Sequence, residues 1–409
     1  MSNETSSDGI RLRRDNQQWV FDWLIKETGR VYHFQPDGRG DLPPAVRSHA
    51  MISKHVGTAA RKLERIAQAE DLAGHGITAG AYFFRAALQF MAAQHVVFQN
   101  DDEKRYLHGS LQRCYAKVIE RAPYRIEHLD FEWEGHTVSG LLHLAPGDEP
   151  KPLIFFVPGC DVTKEVWPNP SLNQALDRGM HVFSFDGPGQ GESNLRGIPL
   201  RSDSYERAAS AVIDKLVDRP EIDADRIGVY GISFGSFWGL RIAAHDSRVK
   251  AVAAPWATYC NLYYLMAEES PRFKQLFAYL TQATSEKELD GIADEMTLDG
   301  YLGEITCPTL LIAGEYDPRS PLEEIYRLRE QITAPAELWV FPDQFHHTSL
   351  GGGGRRGLWE ADIHETICDW LSDRFADKPM PNAGTVSYIE GSSAGPNDPN
   401  VSRRLHWYE

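Results

Sequence analysis

Apolar and polar positions change their period once along this chain, near residue 123. Upstream, KHVGTAARKLERIAQAEDLA (54–73), AGAYFFRAALQFMAAQHVVF (79–98) and DDEKRYLHGSLQRCYAKVIERA (101–122) repeat apolar residues every three or four positions. That spacing lines one face of a helix and predicts three of them, the second capped by Thr78. From Trp19 to Ala122 strand signals are nearly missing.

Downstream of Pro123 the pattern is first alternating, then blocky. RIEHLDFEW and HTVSGLLHLAP alternate across Glu134-Gly135, which predicts a β-hairpin. PLIFFVP (152–158), HVFSFD (181–186), RIGVYG (226–231), VKAVAAP (249–255), TLLIAGEYD (309–317) and ELWVFP (337–342) are short unbroken apolar runs. Strands buried on both faces look like this, and helical stretches between them point to a parallel α/β sheet. The segment 256–304 also has helical spacing, and ADIHETICDWLSDRF (361–375) predicts a closing helix. The expected division is a flexible amino terminus over 1–16, a helical domain over 17–122, an α/β domain over 123–375 and a carboxyl-terminal tail over 376–409.

Charge and cysteine content narrow the function classes. A net charge of −16 disfavours nucleic acid and anionic membrane surfaces as partners, and reads as a solvated acidic surface. Five scattered cysteines without a C-x-x-C pair suit free thiols in a reducing compartment. The start MSNETSSDGIRLRRDN lacks the apolar stretch of a signal peptide, and no run is long enough to span a bilayer. The expected location is cytoplasmic.

Candidate chemistry enters through a pentapeptide that occurs twice. Gly231-Ile232-Ser233-Phe234-Gly235 and Gly391-Ser392-Ser393-Ala394-Gly395 both fit G-x-S-x-G. The pattern makes a nucleophile only where a strand delivers the serine to a sharp turn and a helix leaves at once. RIGVY precedes Ser233 and FGSFWGLRIAAH follows it with helical spacing, so Ser233 qualifies. Pro396 and Pro399 forbid a helix after Ser393, which makes the second copy a coincidence. A serine needs a base, and the base needs an orienting carboxylate. Asp317 closes the strand TLLIAGEYD ahead of Pro318, with Glu315 as the weaker candidate. FPDQFHHTSLGGGG follows the last strand and offers His346 and His347. The helix start places the Phe234 N–H to receive an oxyanion. No cofactor or metal is expected: no His/Asp cluster has ligand spacing, and DGPGQGES lacks the ending of a phosphate loop and reads as a turn.

With PGCDVTKE, FDGPGQGES (185–193), YGISFGS, GEYDP and DQFHH in that order, the chain resembles the FrsA-like branch of the α/β-hydrolases. AEDLAGHGITAGAYFFRAALQF resembles the family's helical domain, so the likeness covers roughly residues 50–375. The resemblance implies an α/β-hydrolase fold with an amino-terminal helical cap, and a triad of Ser233, Asp317 and His346. His346 is preferred over His347 because Asp-Gln-Phe before it matches the family's lead-in. It also implies a second oxyanion donor, the backbone N–H of Cys160, in a loop where Pro158 and Cys160 depart from the family's usual residues. A homodimer is the family expectation.

The implied function is a cofactor-independent serine hydrolase of an ester, lactone or thioester, acting on a small apolar or aromatic molecule. Carbon–carbon hydrolysis of a β-diketone-like or acylated aromatic compound, acyl transfer, and a non-catalytic binding protein are the alternatives. Asp161, Glu165, Trp167, Trp256 and Tyr259 are candidate pocket residues. PWATYCNLYYLM (255–266), which holds the last two, serves equally as helix packing against the sheet or as the wall for a flat apolar substrate.

Overall fold

The computed structural model of the protein describes residue 46 and residues 48–256, 260–269, 271–315, 317, 319–342, 344, 346, 348 and 363–389. Three helices come first: α1 (His49–Leu72), α2 (Gly76–His95) and α3 (Asp102–Arg121). Phe83, Ala87, Phe90 and Met91 of α2 share a core with Leu107, Leu111, Cys114 and Tyr115 of α3. The period-3.6 stripe therefore faces inward, as the sequence requires. Asp101 caps α3 by accepting the Lys104 N–H at 2.9 Å, a bond worth about 1 kcal/mol. α2 begins two residues before Thr78, with His75 at its N-cap and no side-chain capping bond. Thr78 lies inside the helix, so packing rather than capping sets that start.

The hairpin follows as β1 (Ile126–Trp133) and β2 (His136–His143), with Trp133 opposite His136. Glu134 and Gly135 both take positive φ, 50° and 76°, the turn that matches the twist of a two-residue hairpin. Seven more strands complete a nine-stranded sheet among the described residues: β3 (Lys151–Val157), β4 (His181–Asp186), β5 (Ile222–Gly231), β6 (Val249–Pro255), β7 (Thr309–Gly314), β8 (Ala336–Phe341) and β9 (Val386–Tyr388). Their order is β1-β2-β4-β3-β5-β6-β7-β8-β9. The pairs β1–β2 and β2–β4 are antiparallel and the rest are parallel. Every residue of β4, β7 and β8 is buried, which is why these strands appear in the sequence as unbroken apolar runs.

Helices cover both faces. After the short α4 (Gly191–Leu195), the core on one face includes α5 (Ser204–Leu216) and α6 (Phe234–His245), with Ala208, Val212, Phe237 and Leu240 packed together. The cap helices share the other with α11 (Ile363–Phe375), where Phe90 and Ile367 belong to one core. Helix α10 is Leu322–Gln331. Between β6 and β7 the helical insertion is α7 (Leu262–Glu268), α8 (Pro271–Thr281) and α9 (Glu286–Glu295). The expected tail 376–409 needs correction within its described part. Residues 386–388 form β9, parallel to β8, and the Ile389 N–H donates to the Val340 carbonyl at 2.8 Å. Without β9 the open backbone groups of β8 would form the sheet edge.

The chain moves outward from β3 to β4, then returns to place β5 on β3's other side. The carboxyl ends of β3 and β5 thus flank the point where strand order reverses, and such points open a crevice.

Candidate active site

Ser233 stands in that crevice, between the end of β5 and the first residue of α6, with φ 54° and ψ −122°. A non-glycine residue there is strained by about 1–3 kcal/mol and needs a surrounding that fixes it. Its N–H donates to the Pro255 carbonyl at 3.1 Å, and the Gly235 N–H donates to the Ile232 carbonyl at 2.7 Å. The flanking glycines answer to space rather than to backbone freedom. A Cβ on Gly231 would lie 2.0 Å from the Gly235 carbonyl oxygen, and one on Gly235 would lie 2.1 Å from that of Val157. Helix and strand approach too closely for either.

The loops after β7 and β8 bring Asp317 and His346 to the same edge. Ser233 Oγ lies 2.7 Å from His346 Nε2, and His346 Nδ1 lies 2.6 Å from Asp317 Oδ2. An ionised carboxylate only accepts, so Nδ1 carries the proton and Nε2 is left to accept from the serine hydroxyl. Burial pushes the Asp317 carboxyl up, but His346, the Arg319 N–H at 2.9 Å and the Arg319 guanidinium together hold it below the usual carboxylate range. Arg319 is itself buried and donates to Glu269 Oε1 at 2.5 Å. His347 lies outside the described residues, as do Tyr259 and the second pentapeptide around Ser393.

Trp256, a candidate pocket residue, supports the histidine loop. It is fully buried, its indole N–H donates to Thr348 Oγ1 at 2.9 Å, and its ring centroid lies 6.2 Å from that of His346. Trp167 packs in the core between Phe156 and Tyr230 and stacks on His364 at 5.5 Å. Glu165 is buried beside Lys164, whose Nζ lies 2.9 Å from Glu165, 3.2 Å from Asp186 and 3.2 Å from Glu192. The contacts of Trp167 and Glu165 are those of interior packing and ion pairing. Asp161, by contrast, lines a small cavity with Cys160.

The loop after β3 carries Cys160. Gln190, in the segment read as a turn, donates its Nε2 to the Gly159 carbonyl at 2.8 Å and reaches the Pro158 carbonyl at 3.4 Å. In a trans peptide the C=O and the following N–H point in opposite directions. The Gln190 bond therefore turns the Cys160 N–H away from Gln190. Tyr205 donates to Gln190 Oε1 at 2.6 Å, and its ring stacks on Trp238 at 4.2 Å and 5°. Asp186 ties the same segment down, accepting from the Lys164 N–H at 2.7 Å and the Glu192 N–H at 3.3 Å. FDGPGQGES was visible in the sequence. Its brace on the loop after β3 depends on partners 22 to 32 residues away, which local pattern does not encode.

His128, Asp130 and Glu192 place three ligand atoms within 4.8 Å of one another. Lys164 and Arg196 already pair with those carboxylates, so the donor set is neutralised by side chains.

A mostly parallel sheet of this order, helices on both faces and a strained serine between strand and helix define an α/β-hydrolase. The family profile described as "Esterase FrsA-like" matches residues 61–329, more than half of the chain, and the protein belongs to that family. It is 29% identical over 315 residues to 2,6-dihydropseudooxynicotine hydrolase of Paenarthrobacter nicotinovorans, across 77% of this chain and 82% of that one. It is 27% identical over 372 residues to hydrolase LUC6 of Fusarium sp, across 77% and 86%. The crystal structure of 2,6-dihydroxy-pseudo-oxynicotine hydrolase matches the fold with a TM-score of 0.71 and 26% identity, over 86% of this chain and 94% of that one. Hydrolase chemistry is thus the class to which the protein belongs. No helix among the described residues is long and apolar enough to cross a membrane.

Proposed function

We propose that the protein is a serine hydrolase that attacks the carbonyl carbon of a small apolar or aromatic ester, lactone or thioester. The observation that carries this reading is the hydrogen-bonded path from Ser233 through His346 to Asp317. As Ser233 Oγ adds to the carbonyl, its proton passes to His346 Nε2, and Asp317 steadies the imidazolium through Nδ1. The tetrahedral oxyanion is received by the backbone N–H groups of Phe234 and Cys160. The first belongs to the donors a helix start leaves without intrahelical partners, and the second is aimed by Gln190. His346 then protonates the leaving group, the acyl-enzyme forms on Ser233, and water activated by His346 releases it.

Met91, Val162, Leu276, Tyr279 and Leu280 give the small cavity between the cap and the Cys160 loop apolar contacts beside its polar ones. No step requires a cofactor. A helical domain over 17–122, an α/β domain that runs past 375 to include β9, a homodimer and a cytoplasmic location complete the proposal. Buried thiols at Cys114, Cys160, Cys260, Cys307 and Cys368 fit a reducing compartment, and sedimentation velocity reads the dimer directly.

The test is a panel of p-nitrophenyl esters, lactones and β-diketones turned over by wild type and by Ser233→Ala. Cleavage of esters or lactones that vanishes in Ser233→Ala supports the reading. Turnover that survives the substitution sinks it, and cleavage of diketones alone moves the reaction to carbon–carbon bonds.

A further inference from the structure

Among the described residues, buried cations follow a rule with one exception. Lys164 faces three carboxylates. Arg241 donates to Glu206 at 2.8 Å, and Arg319 to Glu269 at 2.5 Å. Lys104 is only 7% exposed, yet among the described residues no carboxylate lies within ion-pairing distance of its Nζ. That atom donates to the Gln94 carbonyl at 2.9 Å and sits 4.7 Å from the centre of the Tyr279 ring. A carbonyl and an aromatic face attract a cation without neutralising it, and burying a charge without a counter-ion is costly.

The place of Lys104 gives this exception a meaning. It lines one cavity with Cys160 and Asp161 of the oxyanion-side loop, Met91 and Gln94 of α2, and Tyr279 of α8. The loop that walls this cavity also packs on the nucleophile, since a Cβ on Gly159 would lie 3.5 Å from Ser233 Cβ. The free room is about 30 Å³, the share of one water-sized group. A single oxygen substituent fits such a notch.

We propose that Lys104 is the substrate-binding cation of this protein, engaging an acidic oxygen, an enolate or a carboxylate, in the notch between the helical cap and the Cys160 loop. The proposal rests on the serine-hydrolase reading and names its substrate class. For a β-dicarbonyl substrate the consequence is mechanistic. Ser233 adds to one carbonyl carbon, and the bond from that carbon to the α-carbon breaks. The electron pair becomes an enolate, whose oxygen accepts the Lys104 hydrogen bond. His346 delivers to the α-carbon the proton it took from Ser233, and water then hydrolyses the acyl-enzyme.

The field around Lys104 supports this assignment. Burial pulls its ammonium down to about 7, and Asp101 raises it only in part. Asp101 lies on its own helix end, where it accepts the Lys104 backbone N–H. Tyr279 faces it from α8, His108 from α3, and His95 and Asp161 line the same cavity. Affinity for a carboxylate is therefore present below about pH 7 and lost as the amine deprotonates above it.

The experiment measures kcat/KM for p-nitrophenyl butyrate, which is neutral, and mono-p-nitrophenyl glutarate, which carries a carboxylate. It also measures slowing of fluorophosphonate labelling of Ser233 by glutarate and by benzoylacetone. In Lys104→Met the preference for the glutarate ester over the butyrate ester falls about 10- to 100-fold, the range of a hydrogen bond to a charged group. The wild-type preference declines above pH 7, and that decline disappears in the variant. Weaker protection by glutarate alone assigns the notch to carboxylates, and weaker protection by benzoylacetone alone assigns it to enolates. An unchanged ester preference with unchanged protection overturns the proposal, as does a wild type that neither ligand protects. Lys104→Gln keeps a shorter, uncharged hydrogen-bond donor, and it stands in if the methionine variant melts early. Failure of the underlying reading is a separate outcome: Ser233→Ala would then keep its turnover.

Discussion

At the residue scale, Ser233 is held in a left-handed conformation by neighbours that have no room to change. Two substitutions two residues apart should behave in opposite ways. Ser233→Ala removes only an oxygen; the melting temperature should stay near wild type while kcat falls by roughly 10⁴–10⁶, because a triad acts as a unit. Gly235→Ala sets a methyl against the Val157 carbonyl at 2.1 Å. That variant should lose both stability and activity, which a melting curve beside a rate assay would reveal. Equal melting temperatures for the two variants would refute the packing account of the pentapeptide. Ser233, Asp317 and His346 were legible from sequence because each follows a recognisable strand, and chain order orders them in space. Trp256 was legible only as an aromatic residue. That its N–H fastens Thr348 depends on two loops meeting, and no local period carries that.

At the element scale, the loop after β3 is held by a side chain from the turn after β4. Gln190 fixes the Gly159 peptide, and Tyr205 fixes Gln190 in turn. On the proposed mechanism Gln190 is a positioning residue, acting on the transition state through the Cys160 N–H. Gln190→Met should lower kcat by about 10²-fold, toward the cost of losing one oxyanion donor, with KM little changed. Affinity for phenylboronic acid, a tetrahedral mimic on Ser233, should weaken in step, and Gln190→Glu should restore neither. A purely structural Gln190 would shift the melting temperature and leave the split between kcat and KM alone. The strands were legible because unbroken apolar runs between turns have few other uses, although β5 starts at Ile222, four residues before its run, and β7 ends at Gly314, three residues short of Asp317. Element ends were less so: α2 starts at Gly76 rather than after Thr78. β9 comes from a segment whose composition resembles a tail, and it is ordered by pairing with β8.

At the scale of the whole molecule, the cap and the sheet meet through charge as well as apolar packing. Gln112 of α3 donates to Glu192, and Glu192 belongs to the cluster around Lys164 together with Asp186 and Glu165. Lys164→Met would strand three buried carboxylates and should cost about 3–5 kcal/mol in urea unfolding. The pH dependence follows from the folded-state shifts. Burial pushes Glu165 and Glu192 up, but the Lys164 charge and, for Glu192, the His128 hydrogen bond hold both below the ordinary range. They stabilise the fold above the unfolded carboxylate pKa, about 4, and that contribution is lost as pH falls through their folded values. Asp186, raised to about 6 mainly by burial, favours its protonated form in the folded state and partly offsets them. Lys164→Met should therefore move acid unfolding to higher pH, as circular dichroism across a pH series would record; an unmoved midpoint would refute the cluster's role. The succession of amino-terminal helices and a mostly parallel sheet was legible in the sequence from a single change of period. The docking of cap on sheet was not, because Lys164, Glu165 and Glu192 look like surface charges until the fold buries them.

The central claim is that Ser233 is an activated nucleophile, and fluorophosphonate labelling followed by peptide mapping tests it most directly. Folded wild-type protein should carry the label on Ser233, and His346→Ala should slow labelling by several orders of magnitude. Labelling elsewhere, or at an equal rate in His346→Ala, would contradict the account.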